Sequence, residues 1–255
     1  MILKTPNRVI KSNRLTQAAA KSNLRYGLVD AYNFEADAKT STETGHDGTV
    51  TGATIVPGKT GNCYSFSSSD YITIGDVSTF SFMHQTGCFS ISVWIKMNDY
   101  SQSINQQILA SGGATSLNTG ISLEYENRGS WGIYRTYRLS VTKSIDGNVI
   151  VGVQAPNYIV SNNDWAHLVF TTKGGVTRFF LNGVEYPTTP VGPHPATGPG
   201  VGDATYPLRV GGFYPPMTNS KFTGLIEGLL IYNRPLSQQE VLELYNEGNG
   251  RQYPF

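Results

Sequence analysis

Charge is scarce in this chain. Only 15% of its 255 residues are Asp, Glu, Lys or Arg, against the quarter usual in soluble domains. Ser, Thr, Asn, Gln and Tyr must supply most of the polar surface. That composition suits an outward-facing β domain better than a metabolic enzyme. Cysteine is scarcer still. Two residues, Cys63 and Cys88, cannot make a disulfide framework. Both read as small buried hydrophobes, with a single Cys63–Cys88 bridge as the alternative. No apolar run approaches the length of a membrane-spanning helix. The start, Met1-Ile2-Leu3 followed by Lys4, Pro6, Asn7 and Arg8, has no apolar core and no small-residue cleavage site, so no secretory signal is expected. An Arg-rich, acid-poor start also describes transit peptides, but Pro6 and a weak apolar stripe argue against one. Gly-x-Ser-x-Gly and His-Glu-x-x-His are absent, which removes two common hydrolase signatures. Interleaved basic and aromatic motifs are absent too, so nucleic acid is not an expected partner.

The charge that is present lies unevenly. Lys4, Arg8, Lys11, Arg14, Lys21 and Arg25 all precede the first acid, Asp30. The other 13 basic residues face all 18 acidic ones, so the body is acidic. Residues 1–26 read as a basic arm, and residues 27–255 as one domain long enough to bury a substantial core. Basic arms often contact anionic partners; a solvated tail is the plainer alternative.

Strand patterning fills the rest. With 28 Gly and 13 Pro, turn positions are plentiful. Residues 90–96, Ser-Ile-Ser-Val-Trp-Ile-Lys, are apolar on both faces near their end, as a sandwich-core strand should be. Trp131, Ile133, Tyr137, Leu139 and Val141 share one parity. Tyr134, Thr136, Arg138 and Ser140 share the other. That is period-two patterning with one buried and one open face. Asp146-Gly147-Asn148 supplies a hairpin turn. Residues 187–207 hold Pro187, Pro190, Pro193, Pro195, Pro199 and Pro207 and must form a long loop; loops of that length are usually functional or disordered. Residues 211–221, with Tyr214, Pro215 and Pro216, form another. Ser237 followed by Glu240 is a capping box for a final short helix, whose apolar face is Val241, Leu242, Leu244 and Tyr245.

Two segments near the C-terminus carry a family resemblance. NDWAHLVFTTKGGVTRFFLNGVEY (residues 163–186) has an Asp-Trp-x-His strand, a Gly-Gly turn and a Phe-x-Asn-Gly hairpin. KFTGLIEGLLIYNRPLSQQEVLELYN (residues 221–246) has a Gly-x-Ile strand ending Tyr-Asn-Arg, then a Leu-Ser helix start. Upstream, GLVDAYNFEADA (27–38), GHDGTVTGATIVPGKTGNCYSFSSSDYITI (45–74) and CFSISVWIK (88–96) follow in order. Together these resemble the laminin-G-like, concanavalin-A-like lectin/glucanase family over residues 27–247. The resemblance implies an all-β, two-sheet antiparallel jelly-roll sandwich with Trp94 and Trp165 in its core and a short C-terminal helix.

Candidate chemistry is thin. Glu124 and Glu126 share a strand face, but Arg128 occupies the next position, where glycosidases of this broad fold place a third acid. A solvated face is the expectation, and no catalytic residue is assigned. His167, in the Asp-Trp-x-His strand, reads as core packing; His46, His84 and His194 show no metal spacing. Asp30, Glu35, Asp37, Glu43 and Asp47 cluster in the opening loop. The resemblance implies a structural calcium near there, with Asp37, Glu43 and Asp47 as ligand candidates, although the family's usual Asp is missing from residues 39–45. For a ligand, aromatic rings beside hydrogen-bonding groups suit sugars or protein contacts. Patterning leaves Tyr134 and Arg138 outside. Tyr206, Phe213 and Tyr214 lie on the two proline-stiffened loops, which should leave opposite ends of the strand at 208–212. The Phe213–Tyr214 loop is the favoured site.

These readings converge on a non-catalytic recognition or scaffold module. The expected setting is a virion, as a phage head-decoration, fibre or tail component released by lysis without an export signal. Its arm would dock on an acidic structural partner, and its loops would bind glycans. The alternative is a carbohydrate-binding module of a secreted or cell-surface protein. Membrane insertion is not expected; oligomerisation is left open.

Overall fold

The computed structural model describes residues 23–67, 69–98, 105–112, 119–127, 135–142, 149–156, 163–190, 202–212, 214 and 221–255. Arg128, Trp131, Tyr134, Phe213, His194 and the Asp146-Gly147-Asn148 turn lie outside these residues, as does the arm up to residue 22.

Two antiparallel sheets pack face to face. The first runs β13 (Val184–Tyr186), β12 (Val176–Leu181), β11 (Trp165–Lys173), β6 (Phe89–Met97), β16 (Gly224–Tyr232), β4 (Asn62–Phe66), β3 (Thr54–Pro57), and β1 (Leu28–Tyr32) also pairs with β16. The second runs β14 (Thr189–Pro190), β10 (Val149–Gln154), β9 (Arg135–Thr142), β8 (Gly120–Asn127), β7 (Gln106–Ala110), β15 (Leu208–Val210), β5 (Tyr71–Ile74), β2 (Gly48–Thr51). The expected jelly-roll sandwich is therefore observed. Alternation builds its core. Phe89, Ile91, Val93, Ile95 and Met97 of β6 meet Ile121, Leu123 and Tyr125 of β8 and Tyr137, Leu139 and Val141 of β9 in one buried cluster. Burying each such side chain stabilises the fold by about 1.5–3 kcal/mol.

The turns follow their residues. Asn182 and Gly183 both take left-handed conformations, φ 51° and 77°, as a two-residue hairpin requires. Helix α2 (Gln238–Tyr245) opens with the expected box: the Ser237 hydroxyl accepts from the Glu240 N–H, and the Ser237 N–H donates to Glu240 at 2.8 Å. It lies on the outer face of the first sheet, where Val241 and Leu244 join Leu24, Ala31, Val169, Phe180, Leu230, Tyr232 and Leu236 in a second buried cluster.

Several expectations need correction. Trp94 belongs to this second layer. Val93 and Ile95 take the core positions, so the residue between them points outward, where α2 covers it and leaves it 6% exposed. Trp165, on the same face, is only half-buried. Residues 23–26 are packed rather than free. Leu24 is buried, and Arg234 donates to the Asn23 and Tyr26 carbonyls while forking onto Glu240. A five-residue helix, α1 (Phe82–Thr86), stands where no helix was expected. Pro190 is in strand β14, not loop, at a sheet edge where a missing donor costs nothing. Cys63 is buried and Cys88 half-buried, and both are free thiols.

Candidate functional site

The outer face of the second sheet assembles most of the sequence candidates that fall within the described residues. Leu139 and Leu123 face the core, so their neighbours Arg138 and Glu124 face away, and a register shift between Gln107 and Leu109 brings Gln107 opposite Glu124. Register then aligns Gln154, Arg138, Glu124 and Gln107 as one row across β10, β9, β8 and β7. This face is not the solvated one the patterning suggested. Glu126 is 3% exposed and ion-paired with Arg138 at 3.2 Å. Arg138 also donates to Ser140 at 3.2 Å. Thr136 and Ser140, expected outside, are buried. Glu124 is half-buried and accepts from Asn105 at 3.2 Å.

The same sheet carries a four-layer stack. Arg209 of β15 is carried between Tyr71 and Tyr214, its guanidinium carbon 3.7 Å from each ring centroid. Tyr206 lies on Tyr214 at 4.2 Å with ring planes 9° apart. A cation between two rings is held on both faces by their negative quadrupoles. Burial pushes the Tyr214 phenol above its usual pKa, partly offset by the Arg209 charge. Tyr206 and Tyr214, expected at opposite ends of a strand, thus share one place. The strand between them spans only Leu208–Val210, so the Tyr214 hydroxyl reaches back to donate to the Pro207 carbonyl at 2.8 Å. Tyr214 is 8% exposed, a packed support rather than a free platform, and Tyr206 is the half-exposed ring. Tyr206 is fixed from behind. Backbone donations run from Ala204 to Val77, Thr205 to Thr119 and Tyr206 to Ser111, while buried His84 and Gln85 of α1 both contact the Gly202 carbonyl.

The first sheet's outer face carries a second polar group, under α2. Glu227 accepts the Lys59 N–H at 2.6 Å and the Thr60 N–H at 2.9 Å. Glu35 accepts the Asn62 N–H, and Gln252 bridges Glu35 to Thr60. Two carboxylates therefore grip the Pro57-Gly58-Lys59-Thr60-Gly61 turn. Ser92 and His167 touch at 2.8 Å, the spacing of a nucleophile and its base. Both are 1% exposed, and burial pushes the His167 pKa down to about 3. The imidazole stacks on Trp94 at 4.9 Å. This is packing, as the sequence suggested: the cavity that Ser92 and His167 line has a volume of only about 10 Å³, room for about one water.

The acids of the opening loop are engaged by the chain's own donors. Asp30 is fully buried. One of its oxygens accepts from the hydroxyls of Thr40, Thr42 and Thr44, and the other contacts His46 at 2.8 Å. Asp37 and Asp47 accept the N–H groups of Lys39 and Thr40. Glu43 is exposed and lines a shallow groove with Arg25 and Tyr253. Among the described residues no three His, Cys, Asp or Glu side chains are placed to share a metal, and the donor set does not fit the six to eight oxygens of Ca²⁺. Hydroxyl donors meet Asp30 where an ion would need acceptors.

A family model described as the concanavalin A-like lectin/glucanases superfamily matches residues 66–242. Among solved structures, domain 4 of AbnA, a GH43 extracellular arabinanase from Geobacillus stearothermophilus, in complex with arabinotriose, is similar at a TM-score of 0.60 and 20% identity, over 88% of this chain and 98% of that one. The binding domain of Paraclostridial Mosquitocidal Protein 1 is similar at 0.66 and 18%, over 89% of this chain and 53% of that one. The botulinum neurotoxin serotype D binding domain is similar at 0.63 and 14%, over 86% and 51%. The chain spans about half the length of these two toxin chains. At such identities the likeness establishes the fold. No curated protein sequence matches the chain.

Proposed function

The chain belongs to the concanavalin A-like lectin/glucanase superfamily, and we propose that it is a non-catalytic glycan-recognition module. The observation that carries this reading is the Tyr71–Arg209–Tyr214–Tyr206 stack. It holds one half-exposed ring, Tyr206, against a rigid support, on a sheet whose outer face also carries a row of amide, guanidinium and carboxylate groups. A sugar offers a CH face to such a ring and hydroxyls to such a row. A ring fixed before the ligand arrives loses little freedom on binding. The commitment of Glu126 to Arg138 supports the non-catalytic half, because glycoside hydrolysis needs a placed acid and a second carboxylate across the scissile bond. The likeness to an arabinanase domain in complex with arabinotriose supports the ligand class.

A glycan array tests the reading. The wild-type chain is expected to bind a discrete set of saccharides, and Tyr206→Ala to weaken the best of them about tenfold or more, close to 1.4 kcal/mol. An array with no ligand, or unchanged affinity in a folded Tyr206→Ala variant, overturns it. Hydrolysis of a bound polysaccharide that disappears in Glu124→Gln with Glu126→Gln would overturn the non-catalytic half.

The setting we propose is the surface of a phage virion, in a head-decoration, fibre or tail component whose basic arm, ahead of the packed Leu24, docks on an acidic structural partner. Its support is the uneven charge: six basic residues before the first acid, and an acidic remainder. The alternative, a carbohydrate-binding module of a secreted or cell-surface protein, is supported by the likeness to the extracellular arabinanase domain. Capsid and portal genes beside the coding sequence would favour the first; a glycosidase domain in the same reading frame would favour the second.

A further inference from the structure

We propose that a second saccharide-binding groove, for neutral sugars, lies on the opposite side of the sandwich along α2 and the turn that follows it. The groove has a volume of about 790 Å³, within the range of small-ligand sites. Its floor is Tyr245 and Leu242. Tyr245 is held from beneath by Trp94 and His167, at 5.9 and 6.1 Å between ring centroids with planes within 20°. Leu242 is 43% exposed on a helix whose Val241 and Leu244 are buried, so apolar surface continues beyond what the sheet covers. Gly183 lets the β12–β13 turn close one side, since a Cβ there would stand 2.9 Å from the Tyr245 ring and 3.1 Å from Leu242.

The walls are planar polar groups. Gln239 and Asn246 bring amides, and Glu243 is ion-paired with Arg251. The fourth wall is strained. Asn246, Glu247 and Gly248 are all left-handed, with φ of 48°, 53° and 89°. Asn and Gly tolerate this conformation, but a glutamate does not do so readily. No partner among the described residues holds the Glu247 carboxylate in place. A strained residue at the rim of a groove is a mark of function.

The lining selects the ligand class. Two apolar side chains are too few for a lipid or an apolar peptide. One aromatic and one aliphatic surface ringed by amides and carboxylates suit the CH face and equatorial hydroxyls of a sugar ring. Two carboxylates against one guanidinium repel uronic and sialic acids. The ligand class rests on the glycan-recognition reading above, but the residues do not, for they lie on the other sheet. Two sites on opposite faces would let one chain bridge two glycan strands or gain avidity on one surface.

Amide NMR on the full ¹⁵N-labelled chain decides this. The probes are arabinotriose, cellotriose and chitotriose, with trigalacturonate as the acidic control. At least one neutral trisaccharide is expected to shift Gly183, Leu242 and Gly248 saturably at up to ~10 mM ligand, and trigalacturonate is not. The shifts should persist in Tyr206→Ala. They should weaken at least tenfold in Gln239→Ala with Glu247→Gly. Glu247→Gly alone should raise the melting temperature while weakening binding, because glycine releases the strain. Shifts confined to the Tyr206 and Arg138 sheet overturn the groove and leave the first site standing. Shifts confined to the groove do the reverse, and shifts at neither face overturn both. Equal shifts with trigalacturonate overturn the neutral-sugar assignment.

Discussion

Polar side chains stud the outer faces of both sheets, and the two faces differ in what lies over them. On the first sheet, Ser92, His167 and Glu227 are each 1% exposed beneath α2 and the C-terminal segment. On the second, Glu124, Arg138, Tyr71 and Tyr206 are half-buried. Covered groups are bonded to fixed partners, Glu227 to two turn N–H groups and His167 Nε2 to Ser92, while the buried His167 Nδ1 has none among the described residues. Their chemistry is spent on holding the fold, because a buried polar group without a partner is costly. On the half-open face the strongest interaction, Arg209 between two tyrosines, orders a ring that still has exposed surface. Similar polar chemistry is therefore locked in place on the covered face and left partly accessible on the half-open one, and burial decides which.

This contrast can be broken by mutation. The largest effect should come from Glu227→Ala. It removes a buried carboxylate from the Lys59 and Thr60 N–H groups of a part-buried turn and should cost about 3 kcal/mol of unfolding free energy, read from denaturant midpoints. A loss below 1 kcal/mol on the ~0–1 scale of exposed pairs would mean the covered face is no different from the open one.

His167 gives the covered face a pH signature. Its folded pKa, about 3, lies below the ordinary 6.5. The folded protein keeps the ring neutral while the unfolded chain takes up a proton below pH 6.5. This contribution is whole above 6.5 and is lost as pH falls towards 3, at about 1.4 kcal/mol per pH unit. His167→Gln should flatten the acid limb of the stability profile by that slope. An unchanged limb would show that carboxylates alone set it.

Leu24→Ala should cost about 2–3 kcal/mol through the cavity left under α2. A neutral result would return residues 23–26 to the arm. The smallest folding effect belongs to the half-open face. Tyr214→Phe removes the hydroxyl that bonds the Pro207 carbonyl and also interacts with Thr73 and Arg209; it should cost about 1 kcal/mol and leave the stack and any glycan affinity intact. If affinity falls with it, the hydroxyl positions Tyr206 and the stack alone does not.

Much of the fold was legible. Asp164-Trp165-Ala166-His167, the Gly-Gly turn and Asn182-Gly183 stand where the family resemblance placed them, and the Ser237–Glu240 box where capping chemistry did, because turn conformation and capping depend on a few adjacent residues. The facing of Trp94 was not. Alternation says which residues share a face, never which face is inside, and here the first sheet is covered on both. The candidate site was legible in part. Tyr206 and Tyr214 were named from ring chemistry, but their stacking depended on a strand only three residues long. Arg209 and Tyr71 were missed. Their one sequence signal was an arginine with a tyrosine on either side, and Tyr71 joins them only through the pairing of β15 with β5.

Sequence alone, through a family resemblance with strand periodicity and a capping box beside it, determined that this chain is a two-sheet sandwich with a capped final helix, because turns and caps are short-range properties written in neighbouring residues. Tertiary structure alone decided which polar groups stayed available. Glu126, Asp30 and His167 were all candidates on paper. Each was taken by a partner brought from elsewhere in the chain: Arg138, a trio of threonines with His46, and Ser92. Availability is a matter of what else is within hydrogen-bonding reach and whether water can enter, and both are set only when distant strands meet.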